Sequence, residues 1–125
     1  MALSSEFSHL KQPTDANWHV LLELTDSVPD AALDEKLAEF LYQNGQENSI
    51  IAQSEQERLD LWTLRENISA SQRKLGTSIK HDIAVPIAQV ATFVHQCAPA
   101  LETRFPGIQI VCFGHLGDGS LHYNT

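Results

Sequence analysis

The chain has 125 residues, 42% hydrophobic and 19% charged, enough for one domain with a modest core and too apolar for a disordered segment. Its 16 acidic against 8 basic side chains give a net charge of -8, which repels a phosphate backbone and argues against nucleic-acid binding. No apolar run is long enough for a transmembrane segment, and residues 1–5 (MALSS) lack the basic segment and apolar core of a secretory signal, so a cytoplasmic location is expected.

Residues 18–24 (WHVLLEL) read as a strand, rich in β-branched and aromatic side chains. Residues 27–30 (SVPD) start a helix, with Pro29 in its first turn. Leu33, Leu37, Phe40 and Leu41 follow helical spacing, and Asn44-Gly45 closes the segment. Residues 49–52 (SIIA) are a short second strand. Ser54, with Glu57 completing a capping box, opens a helix that runs to about Arg73. Leu61, Leu64, Ile68 and Gln72 trace one face of it, Trp62 lies beside them, and Gly76 ends it.

Residues 78–85 (SIKHDIAV) read as a strand. Ile79, His81, Ile83 and Val85 point one way, and Lys80, Asp82 and Ala84 the other. Pro86 begins the next helix, with Ile87, Val90, Val94, Cys97 and Leu101 as its buried stripe; Pro99 should kink or shorten it. Phe105-Pro106-Gly107 makes a turn into a strand at 108–113, and a further strand lies near His122. This order suits an α+β sandwich, an antiparallel or mixed sheet with helices on one side, though a small parallel α/β sheet also accommodates it. The spacing of Cys97 and Cys112 permits a disulfide, but buried free thiols are the commoner use of cysteine in intracellular chains.

The chemistry concentrates in residues 114–124 (GHLGDGSLHYN). Gly117 and Gly119 disfavour a helix, and on one continuous strand His115 and His122 would face opposite ways. A turn at Gly117-Asp118-Gly119 brings both imidazoles to one side, where His122 and Asn124 also share a face. Two convergent neutral imidazoles suit Zn²⁺ or a similar divalent metal at about 2.0–2.1 Å per nitrogen. A catalytic zinc usually takes three protein ligands, and no third is evident: Asp118 is held on the turn, and His81 and His95 lie in other elements. By spacing alone, two unrelated histidines flanking a hairpin turn remain the simpler account.

Arg65 and Ser69 are four apart on the predicted helix, where the Arg65 fork suits a carboxylate, although a solvated arginine paired with Glu57 or Glu66 fits the same pattern. Lys80 stands in an otherwise apolar strand, which calls for an anion if it faces inward and for nothing if it faces solvent.

Taken together, residues 61–66 (LWTLRE), 78–86 (SIKHDIAVP) and 114–124 resemble, in order and spacing, the C-terminal domain of the FAD-linked oxidases of the vanillyl-alcohol-oxidase superfamily. Its members include D-lactate dehydrogenases, the D-subunit of glycolate oxidase and D-2-hydroxyglutarate dehydrogenase. The third stretch is highly specific, the first two are suggestive, and the similarity runs from about Trp18 to the end. One departure is Ser120, where the family commonly has asparagine; both residues tolerate a turn.

The resemblance implies a ferredoxin-like α+β sandwich, helices on one face of a mainly antiparallel sheet, over residues 1–125. The chain stops at residues 122–125 (HYNT) inside an apolar strand without cap or breaker, so it is expected to be a fragment of the substrate-capping domain, with the FAD-binding domain absent. The resemblance further implies that His115 and His122 bind Zn²⁺, that Arg65 and Lys80 meet substrate carboxylates, and that Ser69 and Asn124 assist. The parent would oxidise a D-2-hydroxy acid to the 2-oxo acid, passing hydride to FAD held mainly by the absent domain. The usual base and a third metal ligand lie in a later Ser-x-Glu-His-Gly motif, so no catalytic residue is assigned in this chain and the fragment alone is expected to be inactive. The electron acceptor is not legible, and a homodimer is compatible with the sequence. The alternative is a non-catalytic ligand-binding or assembly module with structural histidines.

Overall fold

The computed structural model describes residues 16–28, 32–46 and 49–125. Two compact units divide the chain, Met1–Asn67 and Ile68–Thr125.

In the first unit, helix α1 spans Leu33–Gln43 and helix α2 spans Glu55–Glu66. The predicted start of α1 at 27–30 falls partly on residues 29–31, outside the described residues. Gly45, at φ 66°, follows the last turn in the left-handed conformation that glycine adopts without a Cβ penalty. Ser54 caps α2, its Oγ accepting from the Glu57 N–H at 3.2 Å. Glu57 returns the bond one residue early, its Oε2 accepting from the Gln53 N–H at 2.7 Å. Neither predicted strand of this unit forms a ladder. Residues 18–24 and 49–52 carry no strand pairing, and Trp18, Val20, Leu22 and Leu24 are all exposed. An extended segment becomes a strand only when a neighbour takes up its N–H and C=O groups in a ladder, and no such ladder forms here among the described residues.

The helix predicted from Ser54 to Arg73 is divided. Asn67 ends α2, its backbone N–H at 3.1 Å and its Nδ2 at 2.8 Å both donating to the Thr63 carbonyl. Such side-chain competition for a backbone acceptor is why asparagine breaks helix interiors. Helix α3, Ile68–Gln72, and a 3₁₀ turn, Arg73–Leu75, follow in the second unit.

That unit holds the sheet. Strands β1 (Asp82–Ala84), β2 (Val111–His115) and β3 (Ser120–Asn124) lie in the order β1-β3-β2, both outer strands antiparallel to β3. The outer strands therefore run parallel to each other with β3 between them, and helix α4 (Val90–Arg104) makes the crossover. This is a split β-α-β unit, half of a ferredoxin-like sandwich. With four α-helices and one antiparallel sheet among the described residues, the architecture is α+β.

The β1–β3 pairing extends past the formal strand, with Ile79 and Thr125 exchanging both backbone bonds at 2.7 and 3.0 Å. β2 starts later than predicted, at Val111, after the turn closed by the Ile108 N–H on the Phe105 carbonyl. Pro99 neither ends nor shortens α4. It sits on the exposed side, where water can solvate the carbonyl left without a donor. Val90 is buried and Val94, Cys97 and Leu101 half-buried as the stripe predicts, whereas Ile87 is exposed. The core is thin: Val90, Leu121 and Tyr123 are its buried hydrophobic side chains among the described residues. The Phe93 ring meets Tyr123 edge-on at 5.6 Å, which places α4 against the Ile83, Leu121, Tyr123 and Cys112 side of the sheet.

Candidate functional site

The sheet register sorts the chemistry-bearing residues. In the ladder Asp82 faces His122, Phe113 faces His122 from the other side, and His115 faces Ser120. Residues directly opposite one another share a face, and positions two apart on a strand share it too. Asp82, Phe113, His115, Ser120, His122 and Asn124 therefore belong to the face away from α4. Lys80 joins them, two residues before Asp82 on a ladder that continues to Ile79. Four of the residues named from sequence, Lys80, His115, His122 and Asn124, thus lie on one face. His81, between Lys80 and Asp82, faces the other way.

The turn makes this possible. Leu116–Asp118 forms a 3₁₀ turn, and Gly119, at φ 71°, brings the chain back. A Cβ on Gly119 would run into the Val85 carbonyl, and one on Gly114 into the Ser120 carbonyl, so both approaches need glycine. Asp118 is committed to the turn, its Oδ1 accepting from the Ser120 N–H at 2.9 Å.

Each site residue has a distinct setting. His122 is half-buried, with its Nδ1 2.5 Å from Asp82 Oδ1 and its ring stacked at 4.8 Å and 33° on Phe113. His115 and Lys80 are exposed, and no ion pair to Lys80 forms among the described residues. Asn124 is 4% exposed and tied on both sides of its amide. Its Oδ1 accepts from the His81 N–H at 3.2 Å, and its Nδ2 donates to Gln72 Oε1 at 2.7 Å. Gln72, itself 5% exposed, was legible in the sequence only as a member of a helix face.

Two positions stand apart. Arg65 is half-buried in the last turn of α2, in the first unit, and Ser69 is exposed on α3, in the second. Asn67 separates the two helices that carry them. The same face of α2 carries a second polar group: Trp62 Nε1 donates to Glu23 Oε2 at 2.6 Å, and Arg58 reaches both Glu23 and Glu55. Hydrogen bonding to Arg58 holds the Glu55 carboxyl below its usual range.

The hairpin places two imidazoles on one face, and the Asp82 carboxylate stands against His122 Nδ1, a donor chemistry of the kind that borderline metals take. The described residues hold no group of three His, Cys, Asp or Glu side chains able to bind a metal ion. Cys97 and Cys112 are free thiols on the α4 side. Burial pushes the Cys112 thiol up and the Tyr123 hydroxyl up to about 12.

The whole chain, residues 1–125, matches the family of FAD linked oxidases, C-terminal domain. It is 35% identical over 114 residues to a D-2-hydroxyglutarate dehydrogenase of Stutzerimonas stutzeri, covering 89% of this chain and 24% of that protein. It is 32% identical over 131 residues to the mitochondrial D-2-hydroxyglutarate dehydrogenase of Rattus norvegicus, covering 100% of this chain and 24% of the relative. A putative mitochondrial D-lactate dehydrogenase of Schizosaccharomyces pombe is 31% identical over 86 residues, covering 62% of this chain and 16% of the relative. The chain thus spans about a quarter of the length of these two D-2-hydroxyglutarate dehydrogenases. On this match and these relatives, the chain belongs to the family of FAD linked oxidases, C-terminal domain.

Proposed function

We propose that this chain is the part of an FAD-dependent dehydrogenase that holds a D-2-hydroxy acid during its oxidation to the 2-oxo acid, with D-2-hydroxyglutarate as the first substrate to test. The observation that carries the reading is the gathering of Lys80, His115 and His122 on the face of the sheet away from α4, with Asn124 at its end. Dehydrogenases of this substrate are prominent among the relatives. In this reading Lys80, exposed and without an ion-pair partner among the described residues, neutralises a substrate carboxylate. Arg65 offers a planar fork to a carboxylate, and Ser69 a hydroxyl. Holding a substrate carboxylate on Lys80 supplies orientation, a large part of what a protein contributes to such a step.

FAD, held by the remainder of the longer protein, supplies the hydride acceptor when bound. His115 and His122 would hold a divalent metal whose Lewis acidity favours the alkoxide-like form of the substrate. A second reading, a non-catalytic binding module, is favoured by one observation: the Asn124 amide is already engaged on both sides within the fold. Anaerobic mixing of the full-length flavoprotein with a panel of D- and L-2-hydroxy acids tests the proposal. Bleaching of the flavin by a D-acid, with KM raised in Lys80→Ala, is the expected result. No bleaching by any acid would leave the binding-module reading.

A further inference from the structure

His122 is held from both sides. On one flank lies the carboxylate of Asp82, with Nδ1 and Oδ1 2.5 Å apart. On the other lies the Phe113 ring, its centroid 4.8 Å away and tilted by 33°. Both neighbours are set by backbone register, since Asp82 and Phe113 each stand directly opposite His122 on adjoining strands. The backbone bonds between 79 and 125, 81 and 123, and 85 and 119 assign those positions to the hydrogen-bonding sites of the β1–β3 ladder. Asp82 and His122 therefore form a non-hydrogen-bonded pair, the type in which opposing side chains come closest.

We infer that Asp82 is the positioning residue of His122, fixing its tautomer and ring direction so that Nε2 is presented to a metal; this rests on the metal reading above. An ionised carboxylate can only accept a hydrogen bond, so the Nδ1 in contact with it carries the proton and the lone pair sits on Nε2. The stack on Phe113 fixes the plane in which that lone pair points. Carboxylates in this position behind a ligating histidine typically strengthen metal binding about 10–100-fold. The pair is solvent-exposed, with side-chain exposures of 43% for His122 and 82% for Asp82. Exposed pairs contribute little to stability, so the value of this one lies in orientation.

The test measures Zn²⁺ affinity of the full-length protein by competition against a chromophoric chelator, beside ¹⁵N shifts of the histidine ring nitrogens in metal-free protein. Asp82→Ala is expected to weaken Zn²⁺ binding about 10–100-fold and to mix the two His122 tautomers, while the thermal midpoint stays near that of the parent. Asp82→Asn keeps an acceptor oxygen and should retain most of the affinity. Asp82→Val, with a better strand former at the position, repeats the alanine result if the alanine protein folds poorly. Wild-type affinity and an unmixed Nδ1–H tautomer in the alanine and valine proteins would overturn the role given to Asp82 while leaving the metal reading intact. No Zn²⁺ binding by the wild-type protein, or binding undiminished in His122→Ala, would overturn the metal reading and this inference with it.

Discussion

Asn124 can be given a definite energetic role. Its side chain is buried, accepts from the His81 N–H and donates to Gln72 Oε1, so it ties β1 and α3 to β3. Asn124→Ala removes both bonds and orphans two partners. The larger penalty falls on Gln72, 5% exposed, because the exposed His81 can be rehydrated. An orphaned buried polar group costs about 1–3 kcal/mol, so the substitution should cost about 2–4 kcal/mol. Gln72→Ala orphans Asn124 Nδ2 in turn and should cost about 1–3 kcal/mol. The double variant should cost less than the sum by about 1–2 kcal/mol, because each single change strands the partner that the other removes. Urea unfolding of the four proteins, with unchanged m-values, reads this directly. Additivity within about 0.3 kcal/mol would show that the bond contributes no coupling and would refute the bracing role of Asn124.

Tyr123→Phe should raise stability by about 1 kcal/mol, because the buried Tyr123 hydroxyl makes no hydrogen bond of standard geometry while the edge-on contact with Phe93 survives the change; thermal melts check it. Burial raises both the Cys112 thiol and the Tyr123 hydroxyl, the latter from 10.0 to about 12, so the folded chain holds protons that the unfolded chain releases. Their contribution is therefore intact below about pH 9 and lost as pH rises towards 12, and Tyr123→Phe should flatten the upper part of that loss in denaturation at stepped pH. Gly114→Ala drives a Cβ into the Ser120 carbonyl and should cost about 1–3 kcal/mol or unpair the β2–β3 hairpin, visible as lost amide protection at Leu121 and Tyr123.

The second unit was largely legible in sequence, and the first only in its helices. Alternation in residues 78–85 fixed which side chains share a face, and the triplet Gly117-Asp118-Gly119 signalled the reversal that puts His115 and His122 on one side. Those are local rules, of period and of turn chemistry, and they survive whatever the strand pairs with. Residues 18–24 have as strong a strand pattern, yet extended backbone needs a partner that composition cannot supply. Asn67 reads as an ordinary helical position until its amide is seen on the Thr63 carbonyl, which is why one helix predicted from Ser54 to Arg73 is two. The partners of Asp82 and Gln72 were not legible, because both are distant in the chain. These partners, His122 and Asn124, lie 40 and 52 residues away; the ladder register brings Asp82 to His122, and the packing of α3 brings Gln72 to Asn124.

The measurement that tests the central claim most directly compares neighbours on opposite faces of β1 and β3. The rate of flavin reduction by a D-2-hydroxy acid in the full-length protein would be followed by stopped flow for His122→Ala and Lys80→Ala, and for His81→Ala as the control from the other face. The account predicts a fall of at least about 100-fold in His122→Ala, a raised half-saturating substrate concentration in Lys80→Ala, and a rate within about threefold of the parent in His81→Ala. Equal losses from both faces, or full activity in His122→Ala, would contradict it.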